Sequence, residues 1–373
     1  MKKTILALAV PALLAAGVTN AATVYNNDGT KIDLKGSIRL LAEDGARRDA
    51  DLSDDSSRIG LGIKHDLGNG LSGLGYIEMG YDTQKQEKTS DGPIKNRQAY
   101  AGLSLDGVGT LTAGRITAPF DDVAVSDYTW TYGGVMDFGK MQDSSDRGPF
   151  GSKNTFLART SNSVKVESAE FNGFKAAGSY TMQTGDKYSD VDNAYTLAAF
   201  YTSDFGLTFN AGYGHGKSNG GVQNFAAGVN ADGSTTPAKS VYHNSVDADI
   251  WGIGAQYEIG DFAIGLDYGQ AKLDWNTAGE SNSKANLLGV GVKYQIIEQT
   301  KVYAGYYGRD YSDYKNWDRH DLYVVGTDYA FSKNVVTFLE YAHDDYKYAN
   351  NRIVKASDIK NDDRIGLGFR VYF

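Results

Sequence analysis

The amino-acid sequence predicts an all-β protein: a closed antiparallel barrel of sixteen strands that crosses a membrane. Three observations predict it. Apolar residues recur at every second position from end to end, the period of a strand with one apolar face. Short turn signals and long polar stretches alternate strictly along the chain. Mean hydropathy is −0.41, and after the N-terminal leader no apolar run approaches the ~20 residues of a spanning helix. A barrel reconciles the three, because its lipid-facing side chains alternate with polar ones and disappear from an averaged hydropathy.

The leader comes first. Lys2 and Lys3 precede an apolar run from Ile5 to Ala16, then small residues and "TNAA". This is the layout of a secretory signal peptide, over residues 1–21, with 22–373 as a single domain. Cleavage after Ala21 removes two lysines and lowers the formal net charge from −9 to −11. There is no cysteine, which excludes thiol catalysis and cysteine-ligated zinc. The 45 Gly and 26 Tyr, against 5 Pro, suit short strands, tight turns and aromatic girdles at two membrane interfaces.

The strands follow. In "KIDLKGSIRL", Ile32, Leu34, Ile38 and Leu40 share one face and Asp33, Lys35, Ser37 and Arg39 the other. In "SRIGLGIKH", Ile59, Leu61 and Ile63 oppose Arg58 and Lys64. The chain ends on "DDRIGLGFRVYF", where Ile365, Leu367, Phe369, Val371 and Phe373 alternate with Arg364 and Arg370. A soluble sheet buried on one face shows the same alternation, so the connections discriminate. Seven short turns stand at 68–70, 106–109, 171–173, 203–206, 258–261, 296–299 and 331–334. Eight long polar stretches lie between them, near 42–56, 82–95, 116–154, 182–193, 216–247, 272–286, 309–319 and 345–363. Fifteen connections join sixteen strands. An even number lets the first and last strands pair and leaves no open edge in lipid.

The stretches "ATVYNNDGTKIDLKG", "SRIGLGIK" and "NRQAYAGLSLDGVGTLTAGR", with a final aromatic strand ending in Phe373, stand in the order found in the general porins of the Gram-negative outer membrane. The chain resembles that family over its whole length. The resemblance implies a homotrimer in the cell outer membrane, with short periplasmic turns, long extracellular loops and a third loop, about 116–154, folded into the lumen. It implies contact with outer-membrane lipid and lipopolysaccharide, and recognition of the Phe373 terminus by the outer-membrane assembly machinery. The function it implies is a water-filled channel for passive diffusion of ions and small hydrophilic solutes, with no cofactor.

Site candidates rest on charge. Arg58, Arg97 and Arg115 stand on or beside alternating stretches at a parity read as lumen-facing. A charge on the lipid face costs roughly 2–4 kcal/mol at the midplane. By resemblance the three arginines match a basic cluster facing the inward loop; Lys95 joins Arg97, Arg159 is a weaker match, and Glu78 matches an acidic wall position. The loop "FDDVAVSDYTWTYGGVMDFGK" supplies Asp121, Asp122, Asp127 and Asp137. Aligned on Gly133-Gly134, Asp127 falls on a family constriction acid, and the second acid is here Thr131. Asp121, Asp122 or Asp137 would compensate. The acidic net charge predicts a weak preference for cations.

Other readings remain open at this point. A sugar-selective channel would use an aromatic file, which Trp130 and Tyr132 could begin. A barrel hydrolase would need one of five histidines, and neither G-x-S-x-G nor H-E-x-x-H is present. An adhesin would act through the polar, Gly-rich stretch 216–247. No basic, aromatic-interleaved patch suggests nucleic acid.

Overall fold

The computed structural model describes residues 21–45, 48–83, 93–133, 156–183, 191–218, 245–275, 282–312, 317–348 and 362–373, with short strand pieces between 221 and 243. Sixteen strands form the barrel. They are β1 (Thr30–Gly45), β2 (Arg58–Gly68), β3 (Leu71–Tyr81), β4 (Ile94–Leu105), β5 (Gly109–Thr117), β6 (Arg159–Ser168), β7 (Phe174–Thr181) and β8 (Val191–Thr202). Then come β9 (Leu207–Ser218), β10 (Val246–Ile259), β11 (Phe262–Trp275), β12 (Ser283–Ile297), β13 (Thr300–Ser312), β14 (Trp317–Ser332), β15 (Val335–Tyr348) and β16 (Asp362–Tyr372). Each pairs antiparallel with its sequence neighbour, and β1 pairs with β16, with Arg39 opposite Arg370. Gly36 and Phe373 exchange backbone hydrogen bonds of 2.7 and 3.0 Å at this seam. Ala22–Asn27 folds back on β1 beside them.

The expected turns close as the sequence suggests. Gly68, Asn69 and Gly70 all take positive φ, which lets β2 reverse into β3 within a few residues. Alternation then divides the two faces. On β16, Ile365, Leu367 and Phe369 are exposed while Gly366, Gly368 and Arg370 are buried. On β2, Ile59, Leu61 and Ile63 are exposed in the same way.

Tyrosine does two jobs, where the sequence predicted mainly one. An outward belt runs through Tyr195, Tyr213, Trp251 and Tyr268 on β8–β11, with Tyr195 against Tyr213 at 6.0 Å and Trp251 against Tyr268 at 5.6 Å. Tyr76, Tyr303, Tyr307 and Tyr372 are instead buried on the inner wall, because three of these hydroxyls or their neighbours serve acids and loop residues inside the lumen. The belt is also incomplete. Among the described residues, Tyr81 is the sole exposed aromatic on the outer faces of β1–β6.

After β5 the chain turns inward through a 3₁₀ turn, Pro119–Asp122, the one helical element among the described residues. Phe120, Val123, Phe156 and Leu157 then pack on Val191, Ala194, Val246, Ile250, Ala271 and Leu287 of β8–β12. The lumen therefore contains a hydrophobic core between loop and wall. This core holds the loop against the barrel wall by the same apolar burial that stabilises a soluble domain.

Candidate functional site: a constriction inside the barrel

The inward segment 119–133 follows the wall strand by strand. The Asn210 amide on β9 donates to the carbonyls of Asp122 and Val123 at 3.2 and 3.3 Å. Asp267 on β11 accepts the backbone N–H groups of Val125 and Ser126 at 2.9 and 2.8 Å. Close approach needs bare backbone on the wall: a Cβ at Gly265 would lie 2.6 Å from the Val125 carbonyl oxygen, and one at Gly291 would overlap the Ser126 carbonyl. Farther round, Glu340 on β15, with no exposed surface, accepts the N–H groups of Trp130, Thr131 (3.0 Å) and Tyr132 (3.1 Å) and the Tyr303 hydroxyl (2.8 Å). Asp328 accepts the Trp130 indole N–H at 2.8 Å. The Trp130 ring stacks on Phe338, 5.7 Å away and 13° from parallel. A loop pressed to a wall has backbone donors that water no longer serves, and these carboxylates serve them.

The opposite side of the lumen is basic. Arg370 on β16, Arg39 on β1, Arg58 on β2, Arg97 on β4, Arg115 on β5 and Arg159 on β6 form a row around the wall. Their charges are near enough to repel: Arg39 feels Arg370 and Arg97, Arg58 feels Arg39, Arg97 and Arg159, and Arg115 feels Arg159 and Arg97. The loop packs on the inner wall from β8 to β15 and meets β16 through Tyr132 and Trp130, while the arginines stand on β16 and β1–β6.

Strict alternation does not account for Arg97 and Arg115. Arg97 shares parity with Leu103 and Leu105, which are exposed on the outer face. A register shift opposite Glu78 and Met79 inserts the extra residue and turns Arg97 inward, over Gly80. Arg115 shares parity with the exposed Leu111. A second shift between Gly114 and Ile116, with Gly114 at φ +136°, brings its guanidinium to the Arg97 carbonyl (3.1 Å) and Ser161 Oγ (3.0 Å). Arg58 needs no such device and lies at the inward parity of β2.

The remaining candidates fall as follows. Glu78, expected on an acidic wall, stands among the arginines, ion-paired to Arg97 at 2.7 Å and receiving the Tyr76 hydroxyl at 2.9 Å. Lys95 is exposed at the outer end of β4. Asp121 and Asp122 are exposed on the 3₁₀ turn. Asp127 is engaged with its own loop and the wall: Oδ1 accepts the Thr129 N–H (2.9 Å), the Thr129 hydroxyl (2.8 Å) and the Tyr307 hydroxyl (3.0 Å). Thr131 lends its backbone N–H, not its side chain, to Glu340. Asp137 and Gly134 lie outside the described residues. On the loop, burial first and then the charges of Glu258 and Asp267 raise the Tyr128 hydroxyl above its ordinary range, so it stays neutral.

The chain is thus a closed sixteen-stranded barrel with the segment 119–133 packed on its inner wall. Residues 7–349 match the family of Gram-negative porins. The chain belongs to this family. It is 36% identical to the major outer membrane protein of Pasteurella multocida strain Pm70, over the whole of both chains. It is 26% identical, again end to end, to outer membrane porin C 2 of Shigella flexneri. Among solved structures, OmpT of Vibrio cholerae superposes with a TM-score of 0.71 at 21% identity, covering 94% of this chain and all of the other. The porin is thus an outer-membrane channel for passive diffusion of ions and small hydrophilic solutes.

Several residues that anchor the inward segment or stand in the arginine row have no clear mark in the sequence. Arg39 and Arg370 were visible as polar members of alternating strands, but nothing linked them to the loop. Glu340, Asp267 and Asp328 look in sequence like ordinary wetted lumen residues. Their one signal is a carboxylate at an inward position with no neighbouring basic residue on the same face of its strand.

Proposed function

We propose that diffusion through this porin is controlled at an eyelet between the inward segment 119–133 and the arginine row. The observation that carries the reading is complementarity in position: the loop lies on the wall strands β8–β15, the guanidiniums stand on β16 and β1–β6, and Arg370 meets Trp130 where the two arcs join. Asp121, Asp122 and Asp127 on one side and Arg58, Arg97 and Arg115 on the other set up a field across a narrow aqueous gap. A polar solute reorients in that field and exchanges water for charged walls; an apolar one must disturb ordered water without return. Rings of charge discriminate among ions in the same way. No covalent step is required. An aromatic sugar track is less well supported, because the Trp130 ring is taken up by Phe338 and Tyr132 is buried.

Conductance of purified protein in planar bilayers tests the eyelet. Trp130→Ala removes the stack and indole bond that hold the inward segment at this residue, and should enlarge the single-channel conductance and the largest sugar admitted to liposomes. Unchanged values in both assays would place the narrowing elsewhere.

The partner is a second and third copy of this chain. The outer face of β1–β6 is apolar yet lacks the aromatic belt that β8–β16 carry, as a face covered by protein would. The belted arc faces lipid, with lipopolysaccharide above it. Phe373 acts as the assembly signal before its backbone is consumed by Gly36. Residues 1–21 are removed on export. Unheated gel electrophoresis and the mass of the mature chain test these points; a monomer, or an N-terminus other than Ala22, would reject the corresponding statement.

A further inference from the structure

We propose that His320 is a positioning residue for the constriction: through Asp344 and Arg364 it sets the place of Tyr132 on the inward segment, and its protonation loosens that end of the segment and makes the channel respond to pH. This rests on the eyelet reading above and adds a regulation to it.

The linkage runs through one carboxylate. Asp344 on β15, 5% exposed, receives His320 Nε2 of β14 at 2.8 Å and is ion-paired to Arg364 of β16. The Arg364 guanidinium lies over the Tyr132 ring, 4.7 Å from its centroid. Tyr132 is itself buried with Tyr307, Leu322, Val324 and Ala342, a cluster that begins at the next inward position after His320 on β14. Three strands and the inward segment therefore meet at a single acid.

A fourth strand fixes the proton. Arg309 on β13 stands opposite His320 in register, and its Nη1 lies 3.5 Å from His320 Nδ1. A guanidinium offers donors only, so the imidazole accepts at Nδ1 and carries its proton at Nε2, where Asp344 receives it. This is the arrangement of a neutral ring. Arg309, Asp344 and Arg364 then amount to two cations and one anion. A second proton, on Nδ1, would point an N–H at the guanidinium and set three cations around one carboxylate. His320 and Arg309 are both buried, so water screens little of that repulsion. Arg364 is the most exposed of the four. It is the member that gives way, and Tyr132 loses the cation over its ring.

The other titratable groups nearby are Tyr346 on β15, opposite His320 in register, Asp318 two residues earlier on β14, and Asp362 on β16, opposite Asp344. Tyr307 on β13 joins the cluster below, and Glu43 of β1 faces Tyr132. Carboxylates and phenols ordinarily titrate outside pH 5 to 8, the interval in which an imidazole changes charge.

The test uses the full-length mature porin, which has no cysteine, so that Thr131→Cys supplies a single reporter thiol on the inward segment. Its rate of modification by a water-soluble methanethiosulfonate is measured with His320 present and with His320→Gln added. The ratio of the two rates cancels the thiol's own pH dependence. Glutamine keeps an N–H for Asp344 and an oxygen for Arg309 but gains no proton, so this variant should assemble and conduct normally at pH 8. From pH 8 to pH 5 the ratio should rise about tenfold in favour of the histidine protein, the loss of one charge-assisted hydrogen bond of about 1.5 kcal/mol. In planar bilayers the wild type should spend more time at reduced conductance over the same interval, and His320→Gln should not. Should His320→Gln fail to assemble, Arg309→Gln must blunt the response, because it removes the cation that opposes protonation. A flat ratio overturns the proposal, as does a pH response of the current that survives His320→Gln unchanged. The two readings separate cleanly. Thiol rates that follow His320 while conductance ignores both pH and Trp130→Ala count against the eyelet. Conductance that answers Trp130→Ala beside a flat thiol ratio counts against the His320 linkage alone.

Discussion

Arg370 grips Trp130 twice: its guanidinium donates to the Trp130 carbonyl at 2.5 Å and lies 5.0 Å from the indole centroid. The same guanidinium is ion-paired to Asp55. One side chain of the last strand therefore joins the first extracellular connection to the inward loop at Trp130. Arg370→Ala should free the loop at Trp130 and leave Asp55 unpaired, at a local cost of about 1.5–3 kcal/mol for the lost charge-assisted bonds. The barrel should keep its melting temperature while open-channel current noise rises. Quiet currents in the variant would show that the loop is held without Arg370.

Glu340→Gln is nearly isosteric, yet it turns one acceptor oxygen into an amide that faces backbone donors. At least one of the Trp130, Thr131 or Tyr132 N–H groups would then lack a partner, costing about 1–3 kcal/mol. Limited proteolysis from the outer side should cut the loop faster in this variant, with no new cut in the strands. Equal cutting rates would mean that the stack on Phe338 is sufficient.

Gly291→Ala places a methyl group onto the Ser126 carbonyl, while Gly62→Ala meets nothing nearer than 3.9 Å. The first should displace the loop, with an overpacking cost of about 1–3 kcal/mol, and change the conductance. The second should leave both stability and conductance as they were. Conductance that responds to Gly62→Ala and not to Gly291→Ala would contradict the contact map of the loop.

Leu367→Lys and Ile77→Lys put the same charge on two outer faces. Leu367 lies on the belted arc, and a lysine there should cost about 2–4 kcal/mol in lipid, read as a lower denaturant midpoint. Ile77 lies on the belt-free face, where the lysine should dissociate the oligomer and leave a folded single barrel. An Ile77→Lys protein that stays oligomeric would move the subunit contact to another arc.

The parts of this molecule legible in sequence are those governed by repetition. Ile59, Leu61 and Ile63, or Ile365, Leu367 and Phe369, declare an outer face because lipid imposes one rule on every strand. The strand count follows because turns and loops obey different length rules. Arg97 and Arg115 show where such reading stops. Their side of the sheet is decided by register shifts, and a shift leaves no mark in the alternation of its own strand because it is defined against a neighbour. Asp127 marks a second limit. Its place in the loop was legible, but its three hydrogen bonds depend on Thr129 two residues away and on Tyr307 much farther along the chain. A charge in a sequence says nothing of what will neutralise it.

The seam between β1 and β16 carries a consequence for biosynthesis. Gly36 and Phe373, separated by most of the chain, hydrogen-bond to each other, so the cylinder cannot close until its final residue has arrived. Contacts this remote in sequence form slowly, because the entropy of the intervening chain must be lost before any pairing energy is gained. A polypeptide released in part has two unpaired edges and no inner surface to shelter its loop. Closure of this seam is thus a long-range step, and until it forms β1 and β16 each carry a row of unpaired backbone groups.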